Sequence, residues 1–148
     1  MQGSCLCTSV RYEVRKFSAP IDHCSCRMCR KAHAAAFNTA AGVLREDFRW
    51  LAGAALVKAY ESSPGKFRHF CGNCGSQLLS ERTGQPMMFL RVATLDEDPG
   101  LRPEFRIWAS HEVPWLAYDT AIPTYPGAQP PEAAARPWPA PAGEDGDG

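Results

Sequence analysis

Cys71-Gly72-Asn73-Cys74-Gly75 is the stretch that decides the architecture of this chain. Two thiols separated by two residues, with glycine and asparagine where a tight or left-handed backbone is needed, form a turn that curls around a metal ion. Such a knuckle supplies two ligands, and a structural zinc takes four. The matching pair is Cys5-Leu6-Cys7 near the N-terminus. In an extended segment residues i and i+2 point the same way, so both thiols lean toward one ion. A Zn–S bond of about 2.3 Å sets tetrahedral sulfurs just under about 4 Å apart, within reach of both motifs. A clip between segments so distant along the chain restricts the unfolded state more than a local one does.

The remaining thiols lie in Cys24-Ser25-Cys26-Arg27-Met28-Cys29. Three protein ligands with one position left open is the arrangement of a catalytic zinc. Three thiolates on Zn²⁺ leave about one excess negative charge, which Arg27, Arg30 and Lys31 are placed to offset. The same cations favour the thiolate form. A metal-free reactive thiol cluster is the alternative at these three positions. Other readings of the cysteines fit less well. An odd count of seven cannot pair completely as disulfides. A redox pair at Cys71 and Cys74 lacks the strand–CxxC–helix setting it needs. Scattered inert core cysteines would not fall into three spaced groups.

Around these motifs the chain alternates short patterned stretches with turn signals. Val10, Tyr12 and Val14 share one face of an alternating run, with Arg11 and Glu13 on the other. Residues 56–62 and 67–70 flank Ser63-Pro64-Gly65-Lys66 as a hairpin. Residues 37–43, 77–81, 87–92 and 103–108 read as further strands, and 28–36 as one short helix. Many short strands with Gly/Pro turns predict a mainly β domain of short antiparallel strands with little helix. The domain is expected over residues 1–127. The Pro/Ala/Gly-rich, acidic-ended stretch 128–148 reads as a disordered or surface-draped tail, with Trp138 as its one candidate anchor. Trp108 and Trp115 are expected in the core.

With 16 basic and 16 acidic residues the formal net charge is zero, which argues against a nucleic-acid binder. No stretch is long and apolar enough to span a membrane, and the N-terminal residues carry no secretory pattern, so a cytoplasmic protein is expected. There is no Gly-rich phosphate loop and no Gly-x-Ser-x-Gly elbow to support nucleotide or serine chemistry.

The same residues carry a family likeness. Gly3-Ser4-Cys5-Leu6-Cys7 with Val10-Arg11-Tyr12, then His23 through Ala32, then Phe70-Cys71-Gly72-Asn73-Cys74-Gly75-Ser76-Gln77-Leu78, resembles the glutathione-dependent formaldehyde-activating enzyme family, also called the GFA or centromere-protein-V-like family. Ile107-Trp108, Pro114-Trp115 and Pro123-Thr124-Tyr125 look like its C-terminal signature. The resemblance implies a β-rich Mss4-like fold with two zincs, one structural on Cys5, Cys7, Cys71 and Cys74, and one loosely held by Cys24, Cys26 and Cys29. It also implies a carbon–sulfur lyase that reversibly forms S-hydroxymethylglutathione. Thr8 departs from the pattern, since the family commonly has glycine there.

On this reading the substrate is a small-molecule thiol such as glutathione, bound through Arg27, Arg30 or Lys31, with His23 and His33 as general-base candidates. His69 and His111 rank below them. The rival readings are a non-enzymatic zinc module that binds a partner and a labile zinc or thiol buffer built on the three-cysteine site.

Overall fold

The computed structural model of the chain describes residues 1–116 and Pro126. Among these, two sheets face each other. The smaller holds β1 (Gln2–Ser4), β2 (Arg11–Val14) and β5 (Phe48–Ala52), in that order. The larger comprises β3 (Ile21–Cys24), β4 (Asn38–Leu44), β6 (Val57–Ser63), β7 (Lys66–Cys71), β8 (Gln77–Arg82), β9 (Met87–Arg91) and β10 (Phe105–Ile107), ordered β10-β3-β4-β9-β8-β7-β6. One helix, α1 (Arg27–His33), follows β3. The domain is mainly β, as expected.

The alternation around β2 works as the sequence predicts: Val10, Tyr12 and Val14 are wholly buried. They pack with Val43, Leu79, Met88 and Leu90 from the larger sheet. Tyr12 sits at the centre. Its ring stacks on Phe48 with centroids 5.4 Å apart and meets Trp50 edge-on at 6.3 Å. A buried phenol needs a partner, and the Tyr12 hydroxyl lies 2.7 Å from Thr94 Oγ1. Burial pushes its pKa up to about 12. β1 passes close over this ring, which is possible because residue 3 is glycine. A Cβ there would lie 2.2 Å from the Tyr12 ring and 2.6 Å from the Thr94 carbonyl oxygen.

Side chains alternate across a strand, so the larger sheet has a second face. Its register aligns Asp22 with Ala40 and Ala40 with Arg91, and likewise Arg68 with Ser80 and Ser80 with Phe89. All six residues line one cavity on the side away from the core. β7 therefore serves both faces: Cys71 is in the core cluster, and Arg68 lies in the cavity.

One hairpin forms as expected, and several other expectations are corrected. The hairpin β6–β7 forms about a turn at Gly65, whose φ is 71°. The helix stops at His33 rather than Ala36, because Ala34 takes a left-handed conformation and donates its N–H to the Arg30 carbonyl. β10 is shorter than 103–108 and pairs with β3 in parallel, the exception among otherwise antiparallel pairs. Trp108 and Trp115 are not in the core: they are 56% and 71% exposed. Residue 108 has φ 59°, which ends the strand. The domain end at Gly127, the signature residues Pro123-Thr124-Tyr125, the tail 128–148 and Trp138 lie outside the described residues. Among those described, no helix is long and apolar enough to cross a membrane.

Because the contact between Gly3 and Tyr12 admits no methyl group, Gly3→Ala is expected to destabilise the domain by about 1–3 kcal/mol, the usual cost of overpacking. Urea denaturation of the two proteins measures it, and an unchanged midpoint would contradict the packing described.

Candidate metal centres

The first cluster joins the two sheets. Cys5 and Cys7 follow β1, while Cys71 ends β7 and Cys74 lies in the turn before β8. Their four sulfurs all lie within 4.8 Å of one another. Cys5 and Cys7 Sγ are 3.5 Å apart, and Cys7 and Cys71 Sγ 3.9 Å. These separations match the edge of a tetrahedron built on bonds of about 2.3 Å, so the donor set fits one zinc-sized ion with no position left open.

Local backbone geometry brings the sulfurs together. Cys5 N–H donates to the Val10 carbonyl at 3.0 Å and Thr8 N–H to the Cys5 carbonyl at 2.8 Å, closing a tight turn. Thr8 holds φ 58° in that turn. The position that commonly carries glycine in the family thus keeps a glycine conformation with a β-branched residue, which is strained. On the other side Gly75 N–H donates to the Cys71 carbonyl at 2.8 Å, with φ 78°. Gly72 permits close approach: a Cβ would sit 2.8 Å from the Leu56 carbonyl oxygen. Asn73 does not take the left-handed role; its side-chain amide instead donates to Cys7 Sγ at 3.3 Å.

Neighbouring donors prepare the sulfurs for an ion. Val10 N–H points at Cys5 Sγ at 3.3 Å. Ser76 Oγ lies 3.3 Å from Cys74 Sγ, and this contact brings the Cys74 thiol down to about 5. Ser9 does the same for Cys7, to about 7, whereas burial raises Cys5 to about 11. Groups beyond the ligands thus set which thiols give up protons readily.

The second cluster lies on the opposite face of the larger sheet. Cys24 ends β3, Cys26 caps α1 and Cys29 is in its first turn. Their sulfurs also fall within 4.8 Å of one another. Cys29 N–H donates to Cys26 Sγ at 3.4 Å, so one ligand is also the helix cap. Hydrogen bonding from Cys24 and Cys26, with the Arg68 guanidinium beside them, holds the Cys29 thiol low, and the same contact with Cys29 pushes the Cys24 thiol up. Arg68 Nη1 and Nη2 lie 4.0 and 3.9 Å from Cys29 Sγ. All three cysteines face a cavity of about 440 Å³. Three soft donors beside open volume suit a metal that keeps a free position.

The other predicted residues are placed less uniformly. Arg27 lines the cavity. Arg30 Nε instead donates to the Ser25 carbonyl at 3.1 Å, bracing the cysteine loop. Lys31 lies in a separate groove with Tyr60 and Phe70. His23 packs its ring 4.3 Å from Phe37 and pairs through Nδ1 with Thr39 Oγ1 at 2.9 Å. His33 is half-buried, and burial lowers its pKa to about 4, so it stays neutral. Neither histidine lines the cavity; His111 does, stacked on Trp108 at 5.1 Å. The cations of the sheet floor are Lys66, Arg68, Arg82 and Arg91. Sequence reasoning missed them because each is an ordinary strand residue; the i, i+2 spacing of Lys66 with Arg68 is a signal for two of the four.

Two thiol clusters, one of four and one of three, agree with the sequence comparison. Residues 1–111 match the family model of the glutathione-dependent formaldehyde-activating enzymes. The chain belongs to this family. The crystal structure of a Rhodobacter sphaeroides protein is similar to this GFA-family chain, with 27% sequence identity and a TM-score of 0.58. The match covers 71% of this chain and 99% of that one. No curated protein matches.

Two outcomes follow from the four-cysteine cluster. Thr8→Gly relieves the left-handed strain and should raise stability by roughly 1 kcal/mol, read as a shift in the urea midpoint. Cys71→Ser removes a buried sulfur from a cluster that fits a four-thiolate zinc, and binding of such a structural ion is generally worth about 10 kcal/mol or more to folding. The substitution should abolish cooperative melting by circular dichroism, as should a strong chelator; a normal melt in either case would show the cluster to be dispensable.

Proposed function

We propose that this protein is a zinc-dependent carbon–sulfur lyase that makes and breaks the adduct between an anionic thiol, glutathione being the type, and formaldehyde. The observation that carries this reading is the three-cysteine cluster set in the wall of a cavity whose charged lining is five cations and one carboxylate. In the forward direction the thiol sulfur bonds to the carbonyl carbon, the carbon–oxygen π bond opens, and the thiol proton ends on the new hydroxyl. The reverse breaks the carbon–sulfur bond and returns the proton to sulfur. Zinc held by Cys24, Cys26 and Cys29 supplies Lewis acidity and favours a thiolate over a thiol.

The protein's own groups do the rest. Arg68, already against Cys29 Sγ, offsets negative charge on sulfur or on the developing alkoxide oxygen. Met28, Phe89, Ile107 and Trp108 line the cavity with apolar surface that limits water around the reacting atoms. The four-cysteine cluster holds the second zinc, and its role is structural.

A second reading, a module that binds a macromolecular partner, has one observation in its favour: Leu101, Phe105, Trp108 and Trp115 are exposed along one segment. Trp108 also belongs to the cavity lining, however, which gives the exposed ring a use in substrate binding.

Cys26→Ser separates the functions of the two clusters. It should lower zinc content from about two to about one per chain and cut turnover of S-hydroxymethylglutathione by more than about a hundredfold, with the fold intact. Full turnover in a folded Cys26→Ser protein would end the lyase reading.

A further inference from the structure

Lys66 is the anomaly in the cavity floor. The other lysines of the chain, Lys16, Lys31 and Lys58, are exposed, whereas Lys66 is half-buried and lines the cavity beside the three-cysteine cluster. An ammonium removed from water is normally held by a carboxylate or by hydrogen-bond acceptors. Among the described residues no ion pair involves Lys66, and its Nζ makes no hydrogen bond. The Nζ instead sits 4.8 Å above the centroid of the Phe89 ring, part of the same lining. A ring face favours the ammonium form, but it accepts no proton in return.

The neighbours of this amine are cations. The strand register sets Lys66 directly opposite Arg82, and Arg68 stands two residues along on the same face. Like charges facing each other across a ladder are destabilising. Arg91 joins them in the lining from β9, while Asp22 is the single carboxylate there and forms no ion pair with Lys66. Burial first, and then Arg91, Arg68 and Arg82, push the Lys66 pKa down; the Cys29 thiol on α1 acts the other way without reversing the shift. An exposed lysine at neutral pH is a free amine in only roughly one molecule in 2,500. Desolvation beside other cations is a general way of making a lysine nucleophilic. A free amine reacts with carbon electrophiles, and those it takes reversibly in water are aldehydes. The cavity, of about 440 Å³, gives a small one room.

We infer that Lys66 is a nucleophilic amine that captures small aldehydes in this cavity as a Schiff base. The nitrogen lone pair bonds to the carbonyl carbon, the carbon–oxygen π pair moves to oxygen, and an amine proton follows it. Loss of that oxygen as water leaves a carbon–nitrogen double bond. One aldehyde and one amine give one imine and one water, with no change of oxidation state, and water reverses the step. An imine holds a proton less tightly than an alkylamine, so capture also removes positive charge from a crowded lining. The chemistry needs neither zinc nor a thiol and so goes beyond the lyase reading.

The experiment treats the zinc-loaded full chain at neutral pH with formaldehyde and cyanoborohydride, which reduces an imine to a stable N-methyl group. Peptide mapping by mass spectrometry follows each lysine separately and keeps the α-amine of Met1 apart from them. Access to solvent and nucleophilicity predict opposite orders. If access alone governs, the exposed Lys16, Lys31 and Lys58 react first. On the inference, Lys66 is methylated at least tenfold faster than any of the three. Methylation of Lys66 at an equal or lower rate would overturn it and leave a structural cation over the Phe89 ring. In urea the four lysines should react alike. A Lys66 preference that survives unfolding would also overturn the inference, since the cavity would not be its cause.

Discussion

Convergence of Cys5 and Cys7 with Cys71 and Cys74 is the constraint on which the rest of the molecule depends. The smaller sheet contributes one pair and the larger sheet the other, and both Cys5 and Cys71 are members of the hydrophobic core cluster. A core between two sheets of such short strands is thin, since β1 has three residues and β2 four. Apolar burial in a domain of this size leaves a small net stability after conformational entropy is set against it. Four sulfurs on one ion would add a term of comparable size at the point where the sheets must be held together. Gly3, Gly72 and Thr8 then become intelligible as residues that let the backbone pass close to that point, in the last case against the ordinary preference of a β-branched side chain.

The two clusters share a ligand type and differ in what surrounds it. Around the four-cysteine set the neighbours are hydrogen-bond donors at close range: the Val10 amide, the Asn73 side chain and the Ser76 hydroxyl. They spread thiolate charge locally, and four sulfurs already complete the ligand set of a tetrahedral ion. Around the three-cysteine set the neighbouring charge is the Arg68 guanidinium, and beyond it is open volume lined by further cations. The same sulfur chemistry is thus confined in one place and exposed to a reactant in the other. Which face of the larger sheet each set occupies is decided by strand alternation, with β7 placing Cys71 inward and Arg68 outward.

The legible part of this molecule was what local spacing determines. The three cysteine motifs, the buried stripe through Tyr12 and the hairpin about Gly65 depend on residues a few positions apart, and all form as the pattern predicts; the joining of Cys5 and Cys7 with Cys71 and Cys74 was legible from ligand count instead. β3 was not legible, because Ile21-Asp22-His23-Cys24 turns Asp22 and Cys24 to a polar cavity and gives no apolar alternation to detect. β10 joins β3 in parallel after a long excursion, and no short-range signal specifies such a partner. Arg30 and Lys31 stand beside the cysteines in sequence, yet the helical turn sends one to the Ser25 carbonyl and the other to a different groove. Proximity along the chain was a poor guide to which cations face the thiols; Arg68 reaches Cys29 from β7.

A sheet face that buries polar side chains must still satisfy them, and this one leaves Asp22, Asn38 and Arg91 facing a cavity. Replacing Arg91, Asp22 and Asn38 by apolar residues of similar size would remove their desolvation cost and give an ordinary second core. Keeping them costs stability that the rest of the domain has to supply, which the four-cysteine cluster is able to do from the other face. The division of labour between the two thiol sets is therefore energetic as well as chemical. One holds the sheets together strongly enough that the other can sit in a cavity of unpaired charge, and an unpaired charge fixed in advance needs no reorganisation when a ligand of opposite sign arrives.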